Sequence, residues 1–296
     1  MSESLYAGVE LGGTKCICIL ARSHEDVIDQ QVIDTADPEA TVRAIEETLV
    51  GWNSREPLRS LGIASFGPVD LDHASPTWGF ITTTSKPLWS GTDIAGRLQR
   101  RLGIPTGFDT DVNGAALAEL RWGAGRSLTD LAYVTVGTGV GVGLIANGRP
   151  IHGYGHPELG HMRVARKPGD DWPGICPFHG GCVEGLAAGG AIRARLGARS
   201  LDDVGTDDAI WESVAWALAQ LCHVLVVSTA PQRILIGGGV MERQPHLLNR
   251  IPKLLEESLG AYLPLPAGDY VRSPGLGSMA GPLGAIALAE AAAGSD

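Results

Sequence analysis

Apolar positions along the chain fall into a strand pattern and a helix pattern, and the same order of the two occurs twice. Residues 5–20, LYAGVELGGTKCICIL, hold two short apolar runs split by Gly12 and Gly13, which predicts a strand, a glycine turn and a second strand. A helix is predicted over about 38–52: Asp37 can cap it, Pro38 suits its first position, and Val42, Ile45 and Leu49 share one face. A strand follows at 59–66, closed by Gly67-Pro68, then helices at 91–102 and from about Asp111 to Trp122. Residues 131–145, LAYVTVGTGVGVGLI, repeat the hairpin pattern around Gly137-Thr138-Gly139. A long helix ending near Ala230 then leads into a glycine-closed strand at 233–240, and an Ala-rich helix is predicted at 281–293.

The matching signals have unequal spacing, so they predict a duplicated architecture more than a sequence repeat. The segment that lengthens the second half is 150–190, rich in Gly, His, Pro and Cys. A length of 296 residues suits two domains.

Composition narrows the function classes. Apolar residues at 44% and charged residues at 19% exclude a disordered chain. A net charge of −10 argues against a general nucleic-acid surface, though a small anion needs only a local pocket. The most apolar long stretch, 209–230, contains Glu212, Gln220 and His223 and reads as a buried core helix before a membrane span. The N-terminal residues lack the pattern of a secretory signal. The five cysteines, an odd and low number, suit a reducing compartment, so a cytoplasmic protein is expected.

The glycine turns match neither a Walker loop nor a dinucleotide fingerprint, because both join two strands. Exposed N–H groups in such turns can cradle phosphate oxygens, with Thr14 and Thr138 adding hydroxyls; two ordinary glycine hairpins are the alternative. Cys176, His179 and Cys182 lie within seven residues, and His161 lies fifteen residues before the first. Thiolates and imidazoles at this spacing suit a closed tetrahedral zinc site; a Cys176–Cys182 disulfide, or free thiols with surface histidines, are the alternatives. Cys16, Cys18 and Cys222 sit in strand or helix patterns and read as small buried hydrophobes. Asp109 and Asp111 precede a helix, where capping is the common role.

Seven segments, in order, carry a family resemblance: GVELGGTK at 8–15, FGPVD at 66–70, DTDVNGAALAE at 109–119, VTVGTGVGVG at 134–143, HPELGHM at 156–162, CPFHGGCVEGLAAG at 176–189 and IGGGV at 236–240. Together they resemble a sugar kinase of the ROK family (repressor, open reading frame, kinase) over nearly the whole chain. GFITTTSKPLW at 79–89 and the HPELGHM/CPFHGGC form of the insert resemble its fructokinase branch. The resemblance implies an α/β fold, the duplicated actin-like ATPase (ribonuclease H-like) fold with ATP in an interdomain cleft. The implied domains are 1–115, with the C-terminal helix 281–296 packing back on it, and 116–280 with a zinc-binding insert at 150–190. The implied reaction is ATP-dependent phosphorylation of fructose to fructose 6-phosphate, with Mg2+ accompanying ATP, a structural Zn2+ on His161, Cys176, His179 and Cys182, and a homodimer. No nucleic-acid or membrane partner is implied.

By the same resemblance, Asp111 is the general base. Asn113, His156, Glu158, His161 and Glu184 form the sugar pocket. Gly12, Gly13, Thr14, Lys15, Thr138 and Gly139 cradle the phosphates, and Gly238 and Gly239 form the turn on the adenosine side. Glu10 stands where related kinases often carry Asp near the metal, and Thr110 stands where glucokinase relatives often carry Asn. The competing readings are a hexokinase for glucose or mannose, or a non-catalytic sugar-binding regulator. A sugar-responsive repressor would carry an added helix-turn-helix, which is not expected here; a dead module would need a lost base or cradle, yet Asp111 and the GGTK turn are both present.

Overall fold

In the computed structural model, which describes residues 4–266 and 268–294, the first glycine hairpin forms where the apolar runs predict it. Strands β1 (Tyr6–Leu11) and β2 (Lys15–Ala21) pair antiparallel, with Leu11 opposite Cys16. Strand β3 (Val27–Asp34) pairs antiparallel with β2. It is an exposed edge strand without sustained apolar alternation, so its pattern gave no strand signal. Helix α1 (Pro38–Arg55) starts at the predicted cap: the Asp37 carboxylate accepts the Ala40 N–H at 3.0 Å, and Val42, Ile45, Leu49 and Trp52 are buried. Strand β4 (Ser60–Ser65), buried throughout, runs parallel to β1. A small ribbon of β5 (Phe80–Ile81) and β6 (Thr92–Asp93) brackets the 82–91 loop. Helix α2 (Ala95–Leu102) ends at Gly103, whose φ of 68° is the left-handed region that glycine enters freely. Strand β7 (Thr106–Thr110) runs parallel to β4 and opens directly into α3 (Asp111–Trp122).

The second sheet has the same plan. Strands β8 (Leu131–Val136) and β9 (Val140–Ala146) form the second glycine hairpin, flanked by β10 (Arg149–Pro150). Helices α4 (Val183–Ala187), α5 (Gly189–Leu196) and α6 (Ala209–Ser228) precede β11 (Arg233–Gly237), which is parallel to β8. The chain goes straight from β11 into α7 (Gly239–Arg243), so the predicted strand at 233–240 is shorter than its apolar run. Helix α8 (Leu247–Leu259) and strand β12 (Val271–Arg272), parallel to β11, complete the unit. Strand order is β3-β2-β1-β4-β7 in one sheet and β10-β9-β8-β11-β12 in the other: third, second, first, fourth, fifth in both. Helix α6 is long and apolar enough to cross a membrane, but 61% of its apolar window is buried and it packs on α4 and α8 as a core helix.

Helix α9 (Ala280–Ala293) returns to the first sheet; residues 295–296 of the predicted 281–296 segment lie outside the described residues. Gly8, Gly62 and Gly107 are register partners on β1, β4 and β7 and form a row across that sheet. A methyl group on Gly62 would come within 1.9 Å of the Ala285 carbonyl oxygen, and one on Gly107 within 2.5 Å of the Leu288 oxygen. A methyl on Gly284 would come within 2.3 Å of the Gly114 carbonyl carbon on α3. The Ala-rich helix therefore docks backbone-close against both the sheet and α3, which only glycines permit.

The chain divides into Met1–Arg126 with Pro150–Pro157 and Ser278–Asp296, and Ser127–Arg149 with Glu158–Gly277. These bounds differ from those drawn on sequence in two respects. The division keeps α3 whole where 115 would cut it, and residues 150–157 go with the first unit, away from the rest of the insert.

Candidate catalytic and metal-binding residues

In the first unit, the turn from β7 into α3 gathers a polar network. The Thr110 hydroxyl accepts the Asn113 N–H at 3.1 Å and is the cap of α3. Capping therefore falls to Thr110, between the two aspartates that sequence offered for it. Asp111 stands at the first helical position, where its Oδ1 accepts the Val112 N–H at 2.9 Å. Burial outweighs that bond and pushes its carboxyl up to about 6. Glu10, on β1, is pushed up to about 7, first by burial and then by repulsion from Asp111, with Lys15 pulling the other way. A methyl on Gly281, in the first turn of α9, would come within 2.0 Å of Glu10 Oε1, so a larger residue there would push the Glu10 carboxylate aside.

Asp109 is buried and multiply bonded. Its Oδ1 accepts the Thr110 N–H at 2.7 Å and the Asn113 side-chain amide at 2.8 Å, and its Oδ2 lies 2.9 Å from His152 Nε2. That bond raises the pKa of His152. His156 Nε2 accepts the Val69 N–H at 2.9 Å, so that nitrogen carries no proton, and burial lowers its pKa in keeping. These two bonds are why residues 150–157 associate with the first unit. His152 is absent from the sequence-derived set, because a lone histidine among glycines carries no positional signal. The hairpin turn itself is exposed at Gly13, Thr14 and Lys15, and the Gly12 N–H donates to the Lys15 carbonyl at 3.0 Å.

In the second unit, Thr138 is exposed at the tip of the β8–β9 hairpin. Glu184, on α4, reaches that hairpin: its Oε2 accepts the Val140 N–H at 3.1 Å, and a methyl on Gly139 would come within 2.4 Å of it. A larger residue at 139 would push the Glu184 carboxylate aside. Gly238 has a φ of 91° and a methyl there would come within 2.6 Å of the Val136 carbonyl oxygen; Gly239 begins α7. Glu158 immediately precedes a short 3-10 turn, Leu159–His161, and its carbonyl accepts the His161 N–H at 3.0 Å.

That turn delivers His161 to a cluster with Cys176, His179 and Cys182, whose ligand atoms all lie within 4.8 Å of one another. His161 Nδ1 is 3.6 Å from Cys176 Sγ and 3.8 Å from Cys182 Sγ, and His179 Nδ1 is 3.7 Å from Cys176 Sγ. Both cysteines are free thiols, which removes the disulfide alternative. Tetrahedral bonds of about 2.0–2.3 Å put neighbouring ligand atoms roughly 3.4–3.8 Å apart, so the cluster fits one small ion. His161 turns its other nitrogen, Nε2, toward Glu184 Oε1 at 3.9 Å, and Cys182 caps α4, two residues before Glu184. The loop that carries this cluster therefore fixes the start of the helix that presents Glu184.

The profile of the ROK family matches residues 6–292. The chain belongs to the ROK family. Its fold is accordingly the duplicated actin-like ATPase fold, in agreement with the matching strand orders of the two sheets. Among ROK relatives, a fructokinase from Zymomonas mobilis subsp. mobilis is 41% identical, with 98% of each chain covered. A fructokinase from Streptococcus mutans is 39% identical over 97% of this chain and 98% of that one. The crystal structure of a ROK family glucokinase from Streptomyces griseus, in complex with glucose and AMPPNP, is 25% identical with a TM-score of 0.78, covering 97% of this chain and all of that one.

Proposed function

We propose that this ROK protein is an ATP-dependent kinase that transfers the γ-phosphoryl group of ATP to the 6-hydroxyl of fructose. The observation that carries the reaction is Asp111: a carboxylate relieved of capping by Thr110, held above the ordinary range by burial, on the same unit as an exposed glycine turn. The likeness to fructokinases at 39–41% identity supports the sugar.

Asp111 accepts the proton of the sugar hydroxyl as that oxygen bonds to the γ-phosphorus and the bond from phosphorus to the β–γ bridging oxygen breaks, leaving ADP. Its depth from solvent favours this role, because a base titrating near 6 is ionised at neutral pH yet basic enough to take the proton. The backbone N–H groups of the Gly12–Lys15 turn and of the Thr138–Gly139 turn hold phosphate oxygens. Gly238 and Gly239 give the adenosine side a turn without side chains. Glu10, on β1, would be a hard oxygen donor for the magnesium that accompanies ATP, and that ion would supply neutralisation of phosphate charge. Asn113, His156, Glu158, His161 and Glu184 orient the sugar hydroxyls, with Asp109 fixing the Asn113 amide and the zinc-type cluster fixing Glu184 through His161 and Cys182. The ion is zinc, by the choice of two thiols and two imidazoles.

The test is chemical. Purified protein incubated with ATP and fructose should release ADP in step with a product whose phosphorus couples to the C6 protons. Phosphate at C1, or ATP hydrolysis without sugar phosphate, would refute the proposed transfer.

A further inference from the structure

The β1–β2 turn is held from one side by two residues outside the proposed site, Thr35 and Lys86, to which the sequence resemblance gives no task. The Thr35 hydroxyl donates to the Gly12 carbonyl at 2.9 Å, and the Thr35 N–H donates to the Thr14 carbonyl at 3.1 Å. Lys86 Nζ donates to the Gly13 carbonyl at 2.6 Å and to the Thr35 carbonyl at 3.3 Å. Three consecutive turn carbonyls are thus occupied. In a planar trans peptide the C=O and the following N–H point in opposite directions. Engaging the Gly12 and Gly13 carbonyls therefore turns the N–H groups of Gly13 and Thr14 away from Thr35 and Lys86. Neither N–H donates to any partner among the described residues, and both residues are exposed.

Lys86 is anchored for this task. Three residues on, Trp89 is fully buried and its Nε1–H donates to the Ala36 carbonyl at 3.0 Å, beside Thr35. Among the described residues Lys86 has no ion-pair partner, although the chain carries a net charge of −10. Its ammonium has three donors and two are engaged, which leaves one donor and an uncompensated charge at the turn.

We propose that Lys86 and Thr35 are positioning residues for the phosphates of ATP: they draw the turn carbonyls back so that the N–H groups present themselves to phosphate oxygen, and the Lys86 charge, behind the turn, strengthens its pull on an anion. The inference rests on the kinase reading above. It also gives a physical use to the SKPLW part of the 79–89 segment, which the resemblance marks without assigning a task.

The experiment compares binding of a non-hydrolysable ATP analogue with inhibition by adenosine, which has no phosphate, in wild type, Lys86→Met, Lys86→Arg, Thr35→Ala and Thr35→Ser. Losing one charge-assisted hydrogen bond should weaken the ATP analogue by roughly tenfold in Lys86→Met while adenosine stays within about twofold. Lys86→Arg should retain most of the affinity, and Thr35→Ser should retain what Thr35→Ala loses, since the hydroxyl is what bonds Gly12. Unchanged ATP-analogue binding in Lys86→Met, or an equal loss for the analogue and adenosine, overturns the proposal; the equal loss is what a merely structural role would give. If Lys86→Met does not fold, the Thr35→Ser and Thr35→Ala pair decides on the same criterion. Wild-type protein that fails to phosphorylate fructose would defeat the kinase reading, whereas an active wild type with an insensitive Lys86→Met defeats only this inference.

Discussion

Asp111 and Glu10 are two carboxylates that the fold holds above the usual carboxylate range, at about 6 and about 7. A general base works only when ionised, so activity should be lost as pH falls through these values. Because the two groups repel, the limb belongs to the pair. The expected profile of kcat/KM for fructose has its acidic limb between about 6 and about 7, read by initial rates across pH; a limb near pH 4 would mean that an ordinary exposed carboxylate is the base. Asp111→Asn keeps size and hydrogen bonding but removes the proton acceptor. Its turnover should fall by roughly two to four orders of magnitude with melting temperature and nucleotide binding retained. Near-wild-type turnover would return Asp111 to a local structural role. The start of α3 was legible, though spacing offered Asp109 or Asp111 as its cap and Thr110 performs it. His152, Lys86 and Thr35 were not legible, because their partners lie 43, 73 and 23 residues away in sequence and only the fold makes them neighbours.

At the scale of elements, the glycine row Gly8–Gly62–Gly107 and the Cys/His loop each set the position of a helix. A methyl on Gly62 meets the backbone of α9, which has no flexible end to give way. Gly62→Ala should therefore cost more than about 2 kcal/mol, measured by denaturant unfolding, while Gly13→Ala, with open space around it, should change stability little. The metal loop predicts about one zinc per chain by elemental analysis. Stripping it should lower the melting temperature and weaken sugar binding, because Cys182 and His161 support α4 and Glu184. Folded, fully active protein without zinc would contradict this. Most elements were legible: both hairpins, α1 with its cap, β4, α3 and α6 follow from periodicity, glycine placement and capping residues. Strand β7, TGFDT, was not, since its burial comes from α9 lying over Gly107 and not from its own apolar content. Helix α8 carries Pro252 inside it, which masked its pattern.

For the molecule as a whole, duplication is the feature that unites sequence and structure. Two sheets of the same strand order each begin with a glycine hairpin, and each hairpin carries a turn proposed to hold phosphate. The units are unequal in what they add. The first carries Glu10 and Asp111, the Thr35–Lys86 brace and the glycine row, and the second carries the Cys/His cluster and Glu184. Division of labour of this kind was readable from the two hairpin motifs, whereas the transfer of residues 150–157 to the first unit depended on the His152 and His156 bonds. The proposed reaction is phosphorylation of fructose. The most direct measurement is kcat/KM for fructose, glucose, mannose and the N-acetyl hexosamines under one set of conditions, with ATP as donor and ADP formation as readout. The account predicts that fructose gives the highest value of the panel; a clear preference for glucose, or no sugar-dependent ADP formation, would contradict it.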